Sequence, residues 1–208
     1  SATKPRALGV VGDFYHAFEG LRELFGRASP EFEWSFEGDP RRVDSDSLGS
    51  FDLMVLSAED RVEPEKSDAG WMNEAIGGKI EAFVKAGGGL FGYHSGLASY
   101  AEDSAIRRLL GGGFQFHPKS HPAFSFIPGT EHPILEGVAA FTVTDEMYFI
   151  DRDPAGSLAL AATLSPRFGS SCAAWCSERG AGRVACVTPG HRPEVLRAPN
   201  LSRLVGNA

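Results

Sequence analysis

Short, almost purely apolar runs recur along the chain at Ala7–Val11, Phe51–Leu56, Gly89–Tyr93, Leu158–Ala162 and Val184–Val187. Each is too short for a helix and too uniformly apolar for a strand with one wet face. Runs of this kind belong to strands covered on both sides, which is the condition of a parallel sheet. Between them the period changes. Phe18, Leu21, Leu24 and Phe25 repeat at three- and four-residue spacing, predicting a helix that ends near Gly26. Ile76, Ile80, Phe83 and Val84 predict another, stopped by Gly87-Gly88-Gly89. Strand and helix patterns that alternate predict a doubly wound α/β domain, mostly parallel, with helices on both faces.

The chain of 208 residues fits one such domain, and no Ser/Gly-rich linker divides it, so 1–208 is expected to be a single unit. Residues 111–157 break the alternation. They are rich in Gly, Pro and aromatics, and we expect an insertion of edge strands and loops there. The formal net charge is −7, and basic residues cluster no further than pairs such as Arg41-Arg42, which argues against a nucleic-acid partner. No apolar run approaches the roughly 18 residues of a membrane span, so no membrane partner is expected either. Cys172, Cys176 and Cys186 are odd in number and match neither a redox nor a zinc spacing. They suit buried thiols of a reducing, cytoplasmic protein. On a regular strand Cys172 and Cys176 would face the same way. The acidic loop bearing Asp60, Glu63, Glu65 and Asp68 is expected to be solvated surface.

In open α/β sheets ligands bind beyond the carboxyl ends of the strands, so the polar residues that follow each apolar run are the candidates. Asp13 and His16 follow the first run, His94 and Ser95 the third, and His191 the last. The fold would bring these three histidines to one edge. Gly92-Tyr93-His94-Ser95-Gly96 also has the form of a strand-to-helix elbow, in which a strained turn projects its central side chain. Here that side chain is an imidazole, able to act as acid, base or metal ligand. In Asp145-Glu146 only one carboxylate of the extended pair can face a site, and Tyr148 shares the face of Glu146. His117, His121 and His132 each precede proline, which holds the histidine backbone extended. Among them His117, after the Gly111-Gly112-Gly113 turn, is the better site candidate. Tyr15, Tyr93, Phe116, Tyr148 and Trp175 are aromatic faces that could meet a sugar ring.

Several of these segments, in this order, resemble the trehalose-utilisation (ThuA-like) family of the class I glutamine amidotransferase-like superfamily. They are Gly12-Asp13-x-Tyr15-His16, Phe83 to Ser95, Leu110-Gly111-Gly112 with His117-Pro118, Glu131-His132-Pro133-Ile134, Asp145-Glu146-x-Tyr148 and Pro189-Gly190-His191-Arg192-Pro193-Glu194. The resemblance implies a flavodoxin-like fold and a carbohydrate ligand, either a disaccharide or a keto-sugar. It also implies that glutamine hydrolysis is absent, since His94 stands where the amidotransferases keep their cysteine. His94, His191 and Glu146 are then the expected catalytic set, acting by acid–base chemistry. Asp13, His16, Tyr93, Ser95, His117 and Tyr148 are the expected substrate-binding residues. Two alternatives stay open: a divalent-metal hydrolase or isomerase with an ion such as zinc on His94, His191 and Glu146, and a non-catalytic sugar-sensing or scaffold module. A homo-oligomer is compatible with either.

Overall fold

A computed structural model describes residues 3–208. The parallel half of its main sheet is built from β1 (Arg6–Val11), β2 (Glu33–Glu37), β3 (Leu53–Ser57), β4 (Gly89–Tyr93) and β11 (Gly182–Val187). Helix α1 (Phe18–Ala28), the short α4 (Pro193–Leu196) and α5 (Pro199–Asn207) cover one face. Helices α2 (Glu74–Lys85) and α3 (Ala105–Leu110) cover the other. The expected first helix runs two residues past Gly26, to Ala28. Leu21, Leu24 and Phe25 of α1 pack on Val11, Val55 and Tyr93, while Ile80 and Val84 of α2 pack on Val10, Met54 and Leu90. Alternate residues of each strand thus feed opposite cores, which is why these runs are apolar throughout.

The sheet continues as an antiparallel extension. Its full order is β2-β1-β3-β4-β11-β10-β9-β6-β7, with β6 (Ala123–Pro128), β7 (Phe141–Thr144), β9 (Leu158–Ser165) and β10 (Gly169–Arg179). The run at Leu158–Ala162 therefore lies in an antiparallel strand and is not buried on both faces, since Leu158 and Leu164 are exposed. Its alanines let it pass for a core strand in the sequence. Within 111–157, β6 and β7 join the main sheet, whereas β5 (Gly112–Phe116) and β8 (Phe149–Arg152) form a separate two-stranded sheet.

The cysteines are free thiols. Cys172 and Cys176 do not share a face, because a bulge in β10 shifts the register between Cys172 and Trp175. Cys172 packs with the α2/α3 core and Cys176 with the α1/α5 core. The acidic loop is also less uniform than expected. Asp60 is drawn inward by the Met72 N–H at 2.8 Å, and burial raises its pKa against that bond and the Trp71 N–H. No helix among the described residues is long and apolar enough to cross a membrane.

Candidate metal centre and its pocket

The carboxyl ends of β1, β4 and β11 deliver His16, His94 and His191 to one place. The His16 ring centroid lies 4.8 Å from that of His94 and 5.0 Å from that of His191. His94 opens the turn after β4 with φ of 44°, a left-handed conformation that strains a residue bearing a Cβ. The flanking glycines allow this turn to sit against the sheet. A Cβ on Gly96 would collide with the Leu56 carbonyl, and one on Gly92 would press into Leu110 at 2.7 Å.

Each imidazole is oriented from behind. His94 Nδ1 lies 2.6 Å from the Thr188 carbonyl, which only accepts, so Nδ1 carries the proton and the inward Nε2 presents a lone pair. That Nε2 is buried and has no hydrogen-bond partner. His16 Nδ1 lies 2.7 Å from Asp13 Oδ1, which leaves its Nε2 facing His191 Nδ1 at 3.0 Å. Burial pushes the Asp13 pKa up, but the His16 bond and charge, the nearby Ser95 hydroxyl and the Glu59 N–H outweigh it and hold Asp13 below its ordinary value. His191 is placed through its backbone: fully buried Asp145 accepts the N–H groups of Gly190, His191 and Arg192 at 2.8, 3.1 and 2.9 Å.

Glu146 closes the cluster from the segment before β8. Its Oε2 lies 3.4 Å from His94 Nε2 and 3.4 Å from His191 Nδ1. Its Oε1 faces His117 Nε2 at 3.6 Å and His121 Nε2 at 3.7 Å. Burial alone would raise this carboxyl, yet the close approach of His94, and the positive charge that His94, His191 and His117 can carry, lower it to about 2. Burial pushes His191 the other way, down from its usual value; the neighbouring His16 and His94 add to this while Glu146 opposes it. A carboxylate kept ionised beside the inward nitrogens of His16, His94 and His191 makes a donor set suited to a cation.

The inward atoms of His16, His94, Glu146 and His191 all lie within 4.8 Å of one another. With metal–ligand distances of about 2.0 Å, neighbouring ligands of a tetrahedral zinc stand roughly 3.3 Å apart. Three of the six separations, at 3.0, 3.4 and 3.4 Å, fall near that value, and none exceeds 4.8 Å. These residues fit a divalent ion, and the set adds His16 to the residues expected from sequence.

Other expected site residues lie around the cluster. Tyr148 stacks on His94 with centroids 4.2 Å apart, and His117 flanks Tyr148. Tyr93 is 0 % exposed and packs against Phe25 and Phe91, so it lies beneath the site in the core. Ser95 is likewise buried, and the Asp13 carboxylate is consumed by His16 and backbone N–H groups. Trp175 is a core residue. His132 caps the turn at Pro133–Leu135 and contacts Cys176 Sγ, away from Glu146. In the sequence His121 has no preference over His132, Glu146 is favoured over Asp145, and Thr188 carries no signal. The His-Pro step was the one visible signal for His121. A cavity of about 1110 Å³ opens at the opposite edge, lined by Trp34, Asp52, Gly89 and Arg183, and none of the cluster residues reaches it.

The family model described as ThuA, trehalose utilisation, matches residues 9–208. Among solved structures, a putative ThuA-like protein from Bacteroides uniformis ATCC 8492 is similar with a TM-score of 0.74 and 18% identity, covering 100% of this chain and 90% of that one. A cytoplasmic protein from Salmonella typhimurium LT2 is similar with a TM-score of 0.67 and 13% identity, covering 97% of both chains. A β-galactosidase from Bacillus circulans sp. alkalophilus is similar over 98% of this chain but 30% of its own, with a TM-score of 0.67 and 11% identity. At these identities the likeness shows the fold alone. No curated protein sequence matches the chain significantly.

Proposed function

The chain belongs to the trehalose-utilisation (ThuA) family, and on that premise we propose that it is a divalent-metal-dependent enzyme acting on a disaccharide or keto-sugar by proton transfer. One observation carries the metal reading. The outward nitrogens of His94 and His16 are tied to the Thr188 carbonyl and the Asp13 carboxylate, so both Nε2 lone pairs point inward to meet His191 and Glu146. Such outer bonds are the usual support of metal-binding histidines. His16, His94, His191 and Glu146 would hold the ion, which would supply Lewis-acid polarisation of a sugar carbonyl or hydroxyl.

The chain's own residues supply the rest. Tyr148 forms an apolar wall against His94 and limits water there. His117 and His121 reach Glu146 from its solvent side, with side chains 31% and 35% exposed. Each is held by the proline that follows it. They are placed to pass a proton between bound sugar and water, a role worth about 10²–10⁴ in rate for a well-placed acid or base. The carbohydrate class is supported by the family, and a cytoplasmic location by the free thiols and the similar Salmonella protein.

The test is a turnover panel of trehalose, its 3-keto derivative and matching monosaccharides in D₂O, followed by NMR with and without a chelator. We expect conversion or deuterium exchange beside the carbonyl, lost on chelation and restored by zinc or manganese. Turnover indifferent to the chelator would leave acid–base chemistry without a metal. Binding without turnover of any sugar would make the protein a sensing or scaffold module.

A further inference from the structure

The large hydrophobic side chains that remain exposed fall into two groups by place. Ile127, Leu158 and Leu164 are aliphatic and lie on β6 and β9. Phe14, Tyr15 and Phe116 are aromatic, and each stands one or two positions before a histidine of the site, His16 or His117. Phe116 stacks face to face on Phe149, which occupies one side of its ring. Phe14 and Tyr15 are 52% and 51% exposed and meet edge to face at 4.9 Å with an interplanar angle of 83°. They present two ring faces at nearly a right angle.

The loop that carries them is clamped. Asp13 Oδ1 accepts the N–H groups of Tyr15 and His16 at 2.9 and 3.1 Å, and the backbones of Asp13 and His16 pair at 3.0 and 3.2 Å. The same carboxylate orients the His16 ring. The backbone that carries the aromatic pair is therefore fixed relative to the cluster. The Glu59 N–H donates to Asp13 Oδ2 at 3.1 Å, and Arg61 donates twice to the buried Glu59 carboxylate while staying 34% exposed, so a held guanidinium is tied to the same loop. A pyranose ring has a C–H face and a rim of hydroxyls. An open aromatic face next to a held guanidinium matches both parts.

We propose that Phe14 and Tyr15 form a subsite for the outer pyranose ring of a disaccharide whose other ring reaches the histidine–Glu146 cluster. The ring stacks on the aromatic pair and its hydroxyls meet Arg61. The subsite selects disaccharides over monosaccharides without taking part in proton transfer. It rests on the carbohydrate reading of the site and is independent of whether the ion is bound.

The experiment is calorimetric titration of the whole chain with trehalose and with methyl α-glucoside, alongside the ion content of each sample. Wild type should bind trehalose more tightly. Phe14→Ala and Tyr15→Ala should each weaken trehalose by about three- to tenfold, the scale of one aromatic contact, and leave methyl α-glucoside and ion content unchanged. Tyr15→Trp should restore affinity, and Leu164→Ser, which removes an exposed apolar side chain on β9, should do nothing. Unchanged trehalose affinity in Tyr15→Ala overturns the proposal, as does equal affinity for the two sugars or no saturable trehalose binding by wild type. An oligomer that Tyr15→Ala dissolves also overturns it, assigning the pair to a second copy of the chain. An ion-free protein that shows the expected affinities would retire the metal reading and keep the subsite.

Discussion

Replacing Asp13 by Asn changes one atom and tests how the centre is held. Oδ1 accepts His16 Nδ1, Tyr15 N and His16 N, and Oδ2 accepts Glu59 N at 3.1 Å. Asparagine has one acceptor oxygen, so in either flip its NH₂ faces a buried N–H, donor against donor. The lost charge also weakens the bond that fixes the His16 tautomer. Hydrogen bonds to charged groups contribute about 1.5–3 kcal/mol, and a buried donor left unsatisfied costs about 1–3 kcal/mol. The bonds share one side chain and do not add independently, so we expect a loss of about 2–4 kcal/mol in a urea titration of chelator-treated protein. Ion affinity, read by competition with a chromophoric chelator, should fall about 10–100-fold. A variant that unfolds within about 0.5 kcal/mol of wild type and keeps its ion affinity within threefold would refute this account of Asp13.

Other perturbations separate the roles of neighbouring residues. Glu146 titrates at about 2 when folded and near 4.5 when unfolded, so its contribution is whole above pH 4.5 and is lost as pH falls toward 2. Metal-free protein should lose about 1–2 kcal/mol over that interval, the remainder being screened by solvent, and Glu146→Gln should flatten the change in a pH series of denaturation curves. Gly96→Ala drives a methyl group into the Leu56 carbonyl and should cost about 1–3 kcal/mol or more in thermal unfolding; an unchanged melting temperature would contradict the elbow geometry. His132→Ala removes a cap beside Cys176 and should cost about 0.5–1 kcal/mol while leaving ion content intact, which elemental analysis would check.

The parallel strands were legible because Val10, Met54, Leu90 and their neighbours must be apolar on both faces, and the pattern carries that requirement openly. Leu158–Ala162 misled because small apolar residues look alike in a core strand and a half-exposed antiparallel one. The β10 bulge left no mark in Cys172-Ala173-Ala174-Trp175, so the faces of the cysteines could not be read. At the site, His16, His94 and His191 were visible because each follows a strand on the ligand edge. Thr188 was hidden since it acts through its carbonyl, which every residue has. Asp145 acts on backbone N–H groups far away in sequence, and His121 reaches Glu146 only once the insertion folds back.

The ion content of protein purified without a histidine tag tests the central claim most directly, measured by elemental mass spectrometry on wild type, His94→Ala, His191→Ala and His132→Ala. We predict about one divalent ion per chain in wild type and in His132→Ala, and little or none in the two cluster variants, with all four folded by circular dichroism. A wild type that takes up no ion when offered zinc, manganese or cobalt, or cluster variants that keep theirs, would contradict it.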